Sequence, residues 1–151
     1  MTIVFAIIMI CILIFIHELG HFIAAKACGV KVNEFALGMG PAIIKRQRGE
    51  TLYSLRIIPI GGYCAMEGED EDSEDEKAFN KKPAWQKAII LAAGAGMNLI
   101  MAIVLMIIVT YYIGFPTSTI GNVQEDSPAQ AAGIVAGDVI LEADGTVVDD
   151  W

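Results

Sequence analysis

The sequence predicts a small membrane protein: two transmembrane α-helices, an intervening cytoplasmic β-hairpin region, and a soluble α+β stretch that begins after the second helix. Three observations carry this. Thr2 to Ile16 holds no charged residue, and neither does Ala88 to Gln124. The 151-residue chain is 55 % hydrophobic with a mean hydropathy of +0.56, too apolar for an ordinary soluble domain. All ten Lys and Arg fall between Lys26 and Lys87, the part that separates the two apolar runs. The net charge of -8 argues against nucleic acid as a partner.

Residues 1–27 form the first expected span. Thr2 to Ala27 gives about 25 helical residues, enough at 1.5 Å each to cross a hydrocarbon layer of about 30 Å. A cleaved leader is disfavoured, because no basic stretch precedes the apolar run and no small-x-small site precedes His17. The helix closes on Phe15-Ile-His-Glu-Leu-Gly-His21. His17 and His21 are one turn apart and project from one face, with Glu18 beside them. That set suits Zn2+: two neutral imidazole ligands, a bound water whose pKa falls toward neutrality, and a carboxylate to take its proton. Ionisable groups in an apolar helix are costly unless paired, so the trio reads as a functional site. Gly20 leaves room for a neighbouring backbone to approach.

Lys26, Lys31, Lys45, Arg46, Arg48 and Arg56 follow this helix, so the positive-inside rule puts its carboxy-terminal end, and the histidines, toward the cytoplasm. Residues 28–84 are then a cytoplasmic β-rich connection. Val30 to Phe35 alternates like a strand and Gly38-Met-Gly-Pro41 breaks it. Ala42 to Arg46 and Thr51 to Ile58 read as a hairpin around Gln47-Arg-Gly-Glu50. Gly61-Gly62-Tyr63 is either a plain turn or a sheet edge where an extended peptide pairs by main-chain hydrogen bonds. Glu67 to Glu76 has eight acids in ten residues and reads as a solvated, mobile linker. Lys77 to Lys87, with four Lys, Pro83 and Trp85, suits an anchor at the membrane interface. Cys11, Cys28 and Cys64 show no ligand spacing and suggest no disulfide framework.

Residues 85–114 form the second expected span. Gly94, Ala95, Asn98 and Ala102 give it a small-residue stripe for close helix packing. Asn98 is the strongly polar side chain of that half and must face the bundle or a wet cavity; it either ties helices together or lines the site. From Ile120 onward the chain turns acidic and soluble. Ile120 to Val123 reads as a short strand, Ser127 as the N-cap of a short helix with Pro128 first and Gly133 terminating it, and Val139 to Ala143 as a strand between turns.

Taken in this order, the motifs resemble the site-2 proteases, intramembrane zinc metalloproteases, and most closely the bacterial branch that carries PDZ domains and acts on anti-sigma factors. The residues that carry the likeness are His17-Glu-Leu-Gly-His21, Phe35-Ala-Leu-Gly-Met-Gly-Pro41, Tyr53 to Tyr63, Gly94 with Asn98, and Ser127-Pro-Ala through Gly137-Asp138 to Ile140. The resemblance implies that His17 and His21 ligate zinc and that Glu18 is the general base. It implies that the Tyr53 to Tyr63 region, with Gly61, Gly62 and Tyr63, pairs with substrate, and that Asn98 helps to accommodate the unwound substrate helix. It further implies that residues 115–151 are a partial PDZ domain outside the cytoplasm, that the protein is a multi-pass protein of the bacterial inner membrane, and that its partners are the lipid bilayer and single-pass membrane-protein substrates.

The family's third zinc ligand is an Asp followed by Gly in a later membrane helix. Asp144-Gly145 has those letters, but in the segment expected on the other side of the membrane. The chain is therefore expected to be an incomplete piece that binds zinc weakly and cleaves nothing. Two other classes stay open: a membrane-anchored PDZ binding module, and a zinc-handling membrane protein, which would call for further His or Asp along the second helix.

Overall fold

The computed structural model describes residues 1–114 and 117–148; Phe115, Pro116 and 149–151, which belong to the segment expected to be a partial PDZ domain, lie outside the described residues. The chain divides into two compact units, Met1–Leu105 and Met106–Trp151.

Helix α1 runs Thr2–Ala27, matching the expected span. At 1.5 Å per residue it is about 39 Å long, and it is long and apolar enough to cross a membrane. Its stop is a Schellman turn: Val30 N–H donates to Ala25 C=O at 2.8 Å and Gly29 N–H to Lys26 C=O at 3.1 Å, with Gly29 at φ +67. Val30 and Ala25 are both buried in the core, so the turn also closes an apolar contact.

Two long strands follow, β1 (Val32–Arg48) and β2 (Thr51–Met66), joined by Gly49 and Glu50. Sequence reasoning sees one hairpin here, and the structure shows more. Each strand folds back on itself, β1 at Gly38 to Pro41 and β2 at Pro59 to Gly61, so four segments lie side by side. Arg48 pairs with Thr51 and Ile44 with Leu55; Phe35 then lies between Tyr53 on one side and Cys64 on the other, and Leu37 between Leu55 and Gly62. The 62–66 segment is thereby an edge of the sheet, next to α1.

The core lies between the second half of α1 and this sheet: Ala25, Val30, Val32, Phe35, Cys64, Met66 and Ile90 are buried, with Phe15, Leu19 and Phe22 packed on them. Phe35 meets Phe22 with ring centroids 5.0 Å apart and Phe15 at 6.1 Å. Burying a side chain such as Ile90 contributes about 1.5–3 kcal/mol. The first nine residues of α1, Thr2 to Ile10, are all exposed, and so are most large apolar residues at the sheet's bends, Met39, Ile43, Ile44, Ile57 and Ile58. The bend of β2 reaches the middle of α1, where Cys11 Sγ donates to Pro59 C=O at 2.7 Å. The sheet thus lies alongside the helix instead of wholly beyond its end.

The acidic run is tied down where the sequence predicts a free linker. Glu67 N–H donates to Lys31 C=O at 2.9 Å and Phe79 N–H to Glu67 C=O at 2.7 Å. Lys31 Nζ reaches Asp75 at 3.0 Å. Helix α2 (Ala84–Ile113) starts after Pro83 and, like α1, is long and apolar enough to cross a membrane.

Residues 117–148 hold a short helix α3 (Pro128–Ala131) and two-residue strands β3 (Glu142–Ala143) and β4 (Thr146–Val147). Ser127 caps α3, its Oγ accepting from Gln130 N–H at 3.2 Å, and Gly133 ends it at φ +82, as the sequence predicts. The expected strand at Ile120 is reduced to the pairing of 118–120 with 137–140. None of the residues 117–148 is buried.

Candidate metal centre

Helix α1 carries His17 and His21 on the face it turns toward α2, and small residues let the two backbones meet there. A Cβ at Gly20 would lie 2.8 Å from the Ala93 carbonyl carbon and from Met97 Cγ, so only glycine permits this approach. Gly94 does the same for the imidazoles: a Cβ there would fall on His21 Nε2 and lie 2.8 Å from His17 Cε1 and Nε2.

The two rings stand at 79°, and their Nε2 atoms are 3.2 Å apart. Two imidazole nitrogens each about 2.0–2.1 Å from one tetrahedral ion are about 3.3–3.4 Å apart. That spacing fits a shared cation when neither Nε2 carries a hydrogen. His21 Nδ1 lies 2.8 Å from Ile90 C=O. A carbonyl only accepts, so Nδ1 carries the hydrogen and the Nε2 lone pair is left for the shared face. His17 Nδ1 lies 3.3 Å from the Asn98 amide, so Asn98 both ties α2 to α1 and stands beside the histidines.

Glu18 faces a cleft of about 530 Å³ lined also by His21, Tyr63, Cys64, Glu69 and Leu91. The sheet edge closes on it. A Cβ at Gly62 would lie 3.6 Å from Glu18 Cγ and 2.8 Å from Ala36 C=O, so this strand passes bare backbone beside the acid. Gly61, at φ +89, packs on Met39 and forms the bend before it. The stretch is part turn and part strand: Gly61 closes the bend of β2, and Gly62 and Tyr63 pair with Leu37 and Ala36 at the edge of the sheet.

Tyr63 is held by Arg56, whose guanidinium lies 4.9 Å from the ring centroid and bonds the hydroxyl. Arg56 also donates to Glu34 at 2.7 Å and to Gly40 C=O at 2.6 Å, bracing two segments of the sheet against the bend of β1. Burial works to raise the Glu34 carboxyl, but hydrogen bonds from Ser54 and Arg56 outweigh it and hold it below the usual carboxylate range.

Glu69, from the acidic run, lies in the same cleft; burial raises its carboxyl, with the Met66 N–H opposing. Burial, then the charge of Glu18, pushes the Cys64 thiol up to about 12, which keeps it a packed thiol. Among the described residues no group of three or more His, Cys, Asp or Glu is placed to hold a metal ion. Asp144 and Gly145 form the turn between β3 and β4.

Sequence reasoning missed the Ile90 carbonyl, which carries no side-chain signal, and Glu69, hidden among like neighbours. It also missed the Arg56–Glu34 brace, whose members lie 22 residues apart. The role of Gly94 was half visible in the small-residue stripe.

A profile of Peptidase family M50 matches residues 5–145. Three similar proteins all bear the name "Putative zinc metalloprotease". That of Clostridium acetobutylicum is 47 % identical over 99 % of this chain and 44 % of its own length. That of Clostridium perfringens is 43 % identical over 98 % of this chain and 44 % of its own, and that of Fusobacterium nucleatum is 41 % identical over the whole of this chain and 45 % of its own. The chain thus spans less than half the length of these relatives.

Proposed function

The chain belongs to Peptidase family M50, and from that membership and the converging imidazoles we propose that it supplies the metal-binding front of a zinc endopeptidase acting within the membrane. His17 and His21 would hold zinc through Nε2, and Glu18 is the general base. The distance that carries this reading is the 3.2 Å between the two Nε2 atoms, which matches one shared ion. A catalytic zinc takes three protein ligands, and we place the third outside the described residues. Zinc, when bound, supplies a Lewis acid for the scissile carbonyl and an acidified water.

The remaining work falls to the chain's own residues. Glu18, open to the cleft, takes the proton of the attacking water and passes it to the leaving amine. A helical substrate hides its peptide bonds in its own hydrogen bonds, so a stretch must unwind before attack. The 62–66 edge beside Glu18 offers backbone partners for such a stretch, by strand addition. The bend of β2 at Cys11 lies 15 residues, about 22 Å, from Lys26 along α1. We therefore place the sheet's apolar tip inside the hydrocarbon layer, where its exposed Ile side chains are at home. The substrates are single-pass membrane proteins such as anti-sigma factors, and 117–148, read as part of an extracytoplasmic PDZ domain, screens them.

The test is Glu18→Gln in a form as long as the relatives, assayed on a membrane-spanning peptide. Turnover is expected to drop by about 10²–10⁴ with zinc retained. Near-normal turnover would show that Glu18 is not the base. A binding module without catalysis would show no turnover in the unaltered protein either.

A further inference from the structure

Two details at Asn98 do not agree with a metal-holding site as they stand. Its Nδ2 faces His17 Nδ1 at 3.3 Å, and its Oδ1 is buried with no hydrogen-bond partner. If Nδ2 donates to His17, the ring accepts at Nδ1 and carries its hydrogen on Nε2, aimed at His21 Nε2 3.2 Å away. A proton then occupies the place between the rings, and the pair cannot share a cation. His21 cannot yield instead, because its Nδ1–H is committed to the Ile90 carbonyl.

A half-turn of the carboxamide frees the place between the rings and gives Oδ1 a donor, leaving Nδ2 where Oδ1 stood. Its oxygen and nitrogen have nearly the same shape, so the swap needs no repacking. Oδ1 then accepts from His17 Nδ1–H, the orphaned acceptor is satisfied, and both Nε2 lone pairs face the same point. Metal-ligating histidines almost always donate their other ring N–H to such an acceptor. His21 has a backbone carbonyl for this; His17 has Asn98.

We propose that Asn98 is the positioning residue for His17, its Oδ1 holding the ring in the Nδ1–H form that lets His17 and His21 grip one ion. This rests on the reading of the two histidines as metal ligands. It assigns the Asn98 side chain to the metal site, with substrate contact as a separate matter.

Aspartate and leucine, both close in size to asparagine, separate an accepting role from a donating or packing one. Asn98→Asp keeps two acceptors and loses the donors; Asn98→Leu keeps neither. With the full chain in lipid nanodiscs and zinc affinity read by chelator competition, Asn98→Leu is expected to bind roughly ten- to hundredfold more weakly, and Asn98→Asp within about threefold of the unaltered protein or tighter. Nitrogen-15 spectra of the zinc-loaded, His-labelled protein are expected to show the His17 hydrogen on Nδ1 in the unaltered and Asp forms.

If Asn98→Asp falls as far as Asn98→Leu, or if Asn98→Leu binds like the unaltered protein, the assignment of Asn98 is overturned while the metal site stands. If the unaltered protein shows no zinc binding that depends on His17 and His21, the metal reading fails and takes the assignment with it.

Discussion

The crossing of α1 with α2 and the segment 117–148 both begin, in the sequence, from a short motif, and they come to different ends. At the crossing, His17, Glu18 and His21 are surrounded: Gly20 and Gly94 are buried, Ile90 is fully buried, and each outer imidazole nitrogen faces a group on α2. In 117–148 the motif residues act on their own backbone. Ser127 caps, Gly133 terminates and Asp144-Gly145 turns the chain, yet no residue there is buried. A motif that settles only local hydrogen bonds makes a turn. It makes a site when a second element, here the glycine-bearing face of α2, fixes the side chains from outside.

Gly94→Ala breaks this contrast most sharply. Alanine is better than glycine in a helix by about 1 kcal/mol, so α2 itself should gain. The added Cβ nevertheless occupies the place of the imidazoles, and zinc affinity by chelator competition is expected to fall at least about a hundredfold, the upper end of what disturbing a ligand's setting costs. Gly96→Ala is its control: a Cβ there meets nothing within 4 Å, so the same helix gain should come with unchanged affinity. Equal affinity in the two variants would show that the rings are not held against Gly94.

Arg56→Gln has a smaller expected effect, on the support of the sheet edge. The Glu34 and Arg56 side chains are only 20 % and 19 % exposed, so removing the cation leaves a half-buried carboxylate with a weaker partner. A loss of about 1–3 kcal/mol in denaturant unfolding is expected. Unchanged stability would mean that the brace is incidental. The least effect belongs to the other region: Ser127→Ala removes one exposed cap, costs about 0.5–1 kcal/mol locally, and should leave zinc affinity untouched. Any shift in affinity would join the two regions functionally and blur the contrast.

What was legible in the sequence follows the same division. Both long helices and the α3 cap with its glycine stop were readable because uninterrupted apolar length and local hydrogen bonds decide them. The doubling of the sheet was not, because Glu34 to Leu37 find partners on both sides at separations that no local pattern encodes. Lys31 shows the same limit. As one cation among ten it signals only membrane orientation, yet its main chain and side chain together fasten the acidic run to the start of β1. At the candidate metal centre His17, Glu18 and His21 stood out as a motif, whereas what the two rings meet on α2, a main-chain carbonyl and one end of an amide, has no letter of its own.

The shared ion itself is tested most directly by X-ray absorption at the zinc edge on the purified protein in lipid, loaded with one equivalent. Two imidazole nitrogens at about 2.0–2.1 Å are expected in the first coordination sphere, falling to one in His17→Ala and one in His21→Ala. A sphere without imidazole, or one that neither substitution alters, would contradict a metal centre at the crossing of α1 and α2.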